Sequence, residues 1–133
     1  MKTIEFSIGS KTIHLYMNGE AMFAIQALDD GAPEDAPDAV DRMMQNDTDG
    51  IRTLCQIAHI LSTQGELCRR YLQYSPSRIP TADELHLLLA PMQLVSLRSA
   101  VIQAINDGYS QPDSDDSGDI DTGLAELEKK TKP

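Results

Sequence analysis

The sequence predicts a mainly α fold: an N-terminal β-hairpin packed on a small bundle of four to five helices, followed by a disordered acidic C-terminal tail. Three observations carry that expectation. Apolar residues alternate through residues 3–17, the period of a strand. Between about residue 19 and residue 107 they recur every three or four positions, the period of a helix. Beyond Tyr109, Gln111-Pro-Asp-Ser-Asp-Asp-Ser-Gly-Asp contains no apolar residue, so that stretch cannot bury enough surface to offset the entropy of ordering. Residues 1–109 are therefore expected to form one globular domain and 110–133 a tail.

In the hairpin, Ile4, Phe6 and Ile8 occupy even positions and Ile13, Leu15 and Met17 odd ones, with Gly9-Ser10 between. A two-residue turn makes partners sum to 19, which sets Phe6 opposite Ile13 and Ile4 opposite Leu15. All the apolar side chains then share one face, whereas a loop of odd length would turn the second set away. A type II′ turn meets the requirement, with Gly9 supplying the positive φ. An isolated hairpin is marginal in water, so its apolar face must lie on something.

Asn18 can cap a helix over about 19–30, with Glu20 in its first turn, a stripe of Ala21, Ala24, Ile25 and Leu28, and Gly31 as its stop. Asp29 to Asp49 holds eight acids and one base, read as a solvated connection with a short helix over 37–44 opened by Pro37 and Asp38. A long helix over about 50–73 carries its stripe at Ile51, Leu54, Ala58, Leu61, Cys68 and Leu72, widened by Ile57, Ile60 and Leu67. Gly65 falls on that stripe and permits close approach by a neighbour. Thr81 and Glu84 form a capping-box pattern for a helix over 82–89 holding Leu85, Leu88 and Leu89.

Pro91 opens the last helix, over 91–107, with Gly108 as its stop. Its apolar residues fall on two sides, Leu94, Leu97, Val101 and Ile105 on one and Met92, Val95 and Ile102 on the other. A helix apolar over most of its girth is either central to the core or completed by another chain.

Composition removes several function classes. The chain has a net charge of −10, with 14 acids against 8 bases in residues 1–109 and 7 against 3 in the tail. Nucleic-acid binding needs cations to replace counterions on phosphate, and the longest basic clusters are Arg69-Arg70 and Lys129-Lys130. The same argument disfavours an anionic membrane surface. No signal-peptide run opens the sequence and no spanning run occurs, so a cytoplasmic protein is expected. Cys55 and Cys68 lie 13 residues apart on one expected helix, roughly 20 Å along its axis, and should be free thiols.

Chemistry is sparse. Cys55 and His59 are four apart and Glu66 lies on nearly the same meridian, but His14 and His86 belong to other elements, and a zinc site needs three or four converging ligands. No metal or other cofactor is expected. A Cys-His nucleophilic pair lacks a third orienting group, and no Gly-rich phosphate loop follows a strand. The run Asp113, Asp115, Asp116, Asp119 fails as a calcium loop because its twelfth position is Leu124. The expectation is a binding protein without catalytic residues. Its rival is a small acidic regulatory protein that imitates DNA and blocks a DNA-binding protein, which requires phosphate-like spacing of acids on an ordered surface.

Four stretches together resemble the tail assembly chaperones of long, non-contractile-tailed bacteriophages and prophages. They are Ile4-Glu-Phe-Ser-Ile-Gly-Ser-Lys-Thr-Ile-His-Leu with Met22-Phe-Ala-Ile; Gln64-Gly-Glu-Leu-Cys-Arg-Arg-Tyr; Leu87-Leu-Leu-Ala-Pro-Met-Gln-Leu with Ala100-Val-Ile-Gln-Ala-Ile-Asn-Asp-Gly; and Gly123-Leu-Ala-Glu-Leu-Glu-Lys-Lys. The resemblance implies a small helical protein that binds the tape measure protein during tail assembly in the host cytoplasm and is absent from the mature virion. It also implies a longer, frameshifted form that recruits tail tube protein, with Lys129-Lys130 as the candidate junction. The family offers no catalytic residues to transfer. The candidate partner-binding residues are Leu94, Leu97, Val101 and Ile105, with His14 and Tyr16 on the hairpin second, and a homo-oligomer is open.

Overall fold

The computed structural model describes residues 2–110; the expected acidic tail, Lys129-Lys130 and the closing Gly123–Lys130 segment lie outside them. Strands β1 (Ile4–Ile8) and β2 (Lys11–Leu15) precede helices α1 (Gly19–Ala27), α2 (Ala39–Met43), α3 (Thr48–Tyr71), α4 (Ala82–Leu88) and α5 (Pro91–Tyr109). The architecture is the expected one: a two-stranded antiparallel hairpin on a bundle of helices, with α3 as the element against which β2, α1, α2, α4 and α5 all pack.

The hairpin register follows from the alternation. Ile4 faces Leu15, Phe6 faces Ile13 and Ile8 faces Lys11. Gly9 has φ +61 while Ser10 does not enter the positive region, the type II′ pattern. Ile13, Leu15 and Met17 are buried, and Ile4, Phe6 and Ile8 border the core.

Each helix start has a stated local cause. Asn18 Oδ1 accepts from Ala21 N at 2.8 Å, Asp38 Oδ1 from Asp41 N at 2.9 Å and Asp47 Oδ1 from Gly50 N at 2.7 Å; such caps are worth about 1 kcal/mol each. Thr81 and Glu84 form the expected capping box at α4. At α5, where Ala90 has no side chain to cap with, Gln93 Oε1 accepts from Ala90 N at 2.9 Å.

Several ends differ from expectation. Helix α1 stops at Ala27 rather than near residue 30, because Leu28, Asp29 and Asp30 bond back three residues, to Ile25, Gln26 and Ala27, and tighten the chain into turns. Helix α2 starts after Asp38, which caps it from outside. Helix α3 begins at Thr48, two residues before Gly50, because Asp47 is its cap. It ends in a Schellman motif: Gln73 takes φ +70, Gln73 N bonds Arg70 O at 3.0 Å and Tyr74 N bonds Arg69 O at 2.9 Å. Gly108 is not a stop, since α5 runs through it to Tyr109. Its missing Cβ leaves room for Met17, whose Cβ and Cγ would lie 2.5 Å from one.

The α3 stripe also shifts. Leu54, Ile57, Ala58 and Leu61 are buried as expected, but the buried face continues through Ser62, Gly65 and Glu66 while Leu67 and Leu72 are exposed. Gly65 is the reason. A Cβ there would collide with the backbone carbonyl of His14, so β2 crosses α3 at backbone distance, and Tyr16 N donates to Leu61 O at 3.1 Å.

Candidate functional site

Helix α5 carries most of the residues that sequence assigned to a partner, and the structure separates its two sides. Leu97 and Val101 are 0% exposed and Ile105 is 8% exposed, with Leu94 partly buried against them. These are core residues, packed on α3 and on the hairpin. As a free partner surface they are corrected: the apolar hairpin face needed a cover, and this side of α5 supplies it. The second side is open only over its first turns, since Ile102 is partly buried against the core. Met92 is 76% and Val95 53% exposed, and at the end of α4 Leu87 is 83% and Leu88 58% exposed.

Local geometry explains why four apolar side chains stand at this corner. Leu85 and Leu89 turn inward and are buried, so Leu87 and Leu88, between them on a helix of seven residues, point elsewhere. Leu89 and Ala90 are extended, Pro91 restarts the helix, and Met92 and Val95 follow three apart on its outer side. One turn on, Arg98 Nη1 donates to Asn46 Oδ1 at 3.0 Å. That bond ties the middle of α5 to the α2–α3 turn, where Met44 is also exposed.

His14 and Tyr16 are likewise not outward-facing. Both are half-buried on the seam between β2 and α3. His14 Nδ1 lies 3.9 Å from Glu5 Oε1, and the Tyr16 amide is committed to Leu61.

The chemistry of the remaining polar groups is structural. Glu66, nearly buried, accepts from Arg69 Nη1 at 2.6 Å, Arg70 Nε at 2.9 Å and Ser77 N at 2.7 Å. Burial pushes its carboxyl up, but the Ser77 amide and the two guanidinium groups outweigh burial and hold it below the usual carboxylate range. This cluster fastens the connection after α3 onto the helix, and the Arg69 guanidinium also lies 5.5 Å from the Tyr74 ring centroid. His59 Nδ1 lies 2.7 Å from Pro80 O; a carbonyl only accepts, so His59 donates from Nδ1. Burial pushes the Cys55 thiol up to about 11, which leaves it protonated and a poor nucleophile at neutral pH. Cys55, His59 and Glu66 therefore do not converge, and among the described residues no group of three His, Cys, Asp or Glu side chains is placed to hold a metal ion. A shallow recess between β2, α3 and the 77–80 connection, with room for no more than about one water molecule, is lined by His14, Ser62, Glu66 and Arg78. Among the described residues no helix is long and apolar enough to cross a membrane.

Of the six residues proposed from sequence, none belongs to the open corner. Met92 and Val95 were visible as the second side of the last helix; Leu87 was hidden because it reads as one more leucine of an apolar run. No known protein family, curated protein or solved structure matches the chain.

Proposed function

We propose that this protein is a non-catalytic tail assembly chaperone that binds an exposed apolar helix of the tape measure protein. The observation that supports this reading is the corner formed by Leu87, Leu88, Met92 and Val95, apolar surface left in solvent on a chain of net charge −10. A long helix waiting to be enclosed by a tube exposes repeated apolar residues and tends to aggregate. Covering it needs an apolar surface that adapts to many similar segments, for which methionine is suited because its side chain is unbranched and polarizable. The acidic remainder keeps the complex soluble.

Under this reading the protein acts in the bacterial host cytoplasm and does not enter the mature virion. A longer form, continued by frameshift near Lys129-Lys130, would recruit the tail tube protein. The decisive experiment is co-expression with the tape measure protein. The triple substitution Leu87→Ser, Met92→Ser, Val95→Ser should lose the co-purifying partner while the protein melts as before. A complex retained at wild-type yield would sink the assignment.

A further inference from the structure

Among the described residues, the outer edge of β1 is a row of backbone groups without a backbone partner. Ile8 and Lys11 flank the two-residue turn and exchange ladder bonds, and the exchange repeats at Phe6 with Ile13 and at Ile4 with Leu15. Thr3, Glu5 and Ser7 therefore direct their N–H and C=O groups away from β2. On the β2 side the equivalent groups meet α3, through Tyr16 N to Leu61 O and the His14 carbonyl against Gly65. On the β1 side, among the described residues, no backbone–backbone bond outside the ladder reaches Thr3, Glu5 or Ser7. Unpaired backbone groups persist only where they face water, and a row of them is a template for another strand. Glu5 and Ser7 are exposed, and Ile4, Phe6 and Ile8 are only partly buried, so the apolar face stops at an unfinished border.

We propose that β1 pairs antiparallel with β1 of a second copy of this chain, with Phe6 opposite Phe6. Only odd-numbered residues offer bonds on this edge, which leaves three registers with substantial overlap. One places Glu5 against Glu5, a like-charge pair that destabilises a ladder. Another places Ser7 against Ser7 and runs the pairing past the strand into Gly9. The third sets Glu5 against Ser7 twice and Ile4 against Ile8 twice, with the two Phe6 rings meeting at the two-fold axis in a close, non-hydrogen-bonded pair. It has no like-charge contact within the strand, and it makes a four-stranded sheet whose apolar face is continuous. Such an interface is isologous and closes on itself. No proline interrupts β1, and the strand carries a single charge, Glu5.

Strand pairing of this length buries less than the roughly 1,000 Å² of a durable interface, and two copies of net charge −10 repel. The dimer is therefore weak and strengthened by salt.

Sedimentation equilibrium of the full chain from about 10 µM to about 1 mM, at low and high salt, reads this directly. A monomer–dimer equilibrium that tightens with salt is expected. Ser7→Glu should weaken it about tenfold by facing Glu5, and adding Glu5→Lys to that variant should restore it beyond wild type. Ser7→Pro removes the outward donor and the exposed Ser7–Thr12 hydroxyl contact, leaves the donors of the hairpin ladder in place, and should also give a monomer that still unfolds cooperatively. A monomer under every condition overturns the proposal. So does a dimer indifferent to Ser7→Glu and Ser7→Pro, a double variant that fails to recover, or an edge that takes a strand from another protein while the chain alone stays monomeric.

Discussion

On one side of α5, Leu97, Val101, Ala104 and Ile105 are enclosed by α3 and the hairpin; on the other, Met92 and Val95 stand in solvent beside Leu87 and Leu88 of α4. The two sides use the same kinds of residue at the same helical spacing. What separates them is the neighbour each meets. The hairpin is too small to be stable alone, and together with α3 it covers one side of α5. Among the described residues no element covers the Met92 and Val95 positions on the other. Periodicity shows which residues leave water, and only the packed fold shows whether their partner is in the same chain.

The contrast breaks most sharply at Leu97. Leu97→Ala removes a fully buried side chain at the centre of the enclosed side, and an unfolding free energy lower by about 3 to 4 kcal/mol is expected in urea titrations. Loss of less than about 1 kcal/mol would mean that this side is not the core.

A second break tests the polar fastening of the enclosed half. Glu66→Gln keeps the shape but discharges a buried group that holds two arginines and the Ser77 amide, and should cost about 2 kcal/mol at neutral pH. The sign with pH is fixed. The folded carboxyl lies below its ordinary value of 4.5, so its contribution is complete above that value and is lost as pH falls through the folded one. Wild type should therefore lose its advantage over Glu66→Gln in acid, measured as the gap between their melting temperatures. A gap that widens on acidification would contradict the geometry.

Much of this was legible in the sequence. The hairpin register followed from alternation, because a one-residue slip would expose Ile13 and Leu15; the start of α4 followed from Thr81 and Glu84, whose reciprocal bonds are local. Misreadings arose where a distant segment decides. Gly108 resembles a helix stop until Met17 is seen to fill the space of its absent Cβ, and Leu72 continues the α3 stripe until β2, crossing at Gly65, moves the buried face toward Glu66. Leu97 and Val101 likewise read as a face open to another chain until the hairpin and α3 are seen to enclose them. Gly108→Ala sharpens the point: a methyl pressed on Met17 should cost about 1 to 2 kcal/mol, and Met17→Ala in the same chain should remove that added cost, whereas at a helix stop the strain of alanine at positive φ would not depend on Met17.

The smallest expected effect on stability is the most informative about function. Met92→Ser with Val95→Ser lies on the open side, where neither side chain is buried, so the unfolding free energy should stay within about 0.5 kcal/mol of wild type. A larger loss would show that the corner is covered within the chain, and the contrast between the two sides of α5 would collapse. An unchanged stability leaves an apolar surface whose exposure gains the isolated protein nothing, since burying side chains of this size is worth about 1.5 to 3 kcal/mol each. Such surface is retained where something else covers it. Under the proposed function the same double variant should show less binding of a hydrophobic dye and, in co-expression, less tape measure complex, because one set of side chains would produce both signals.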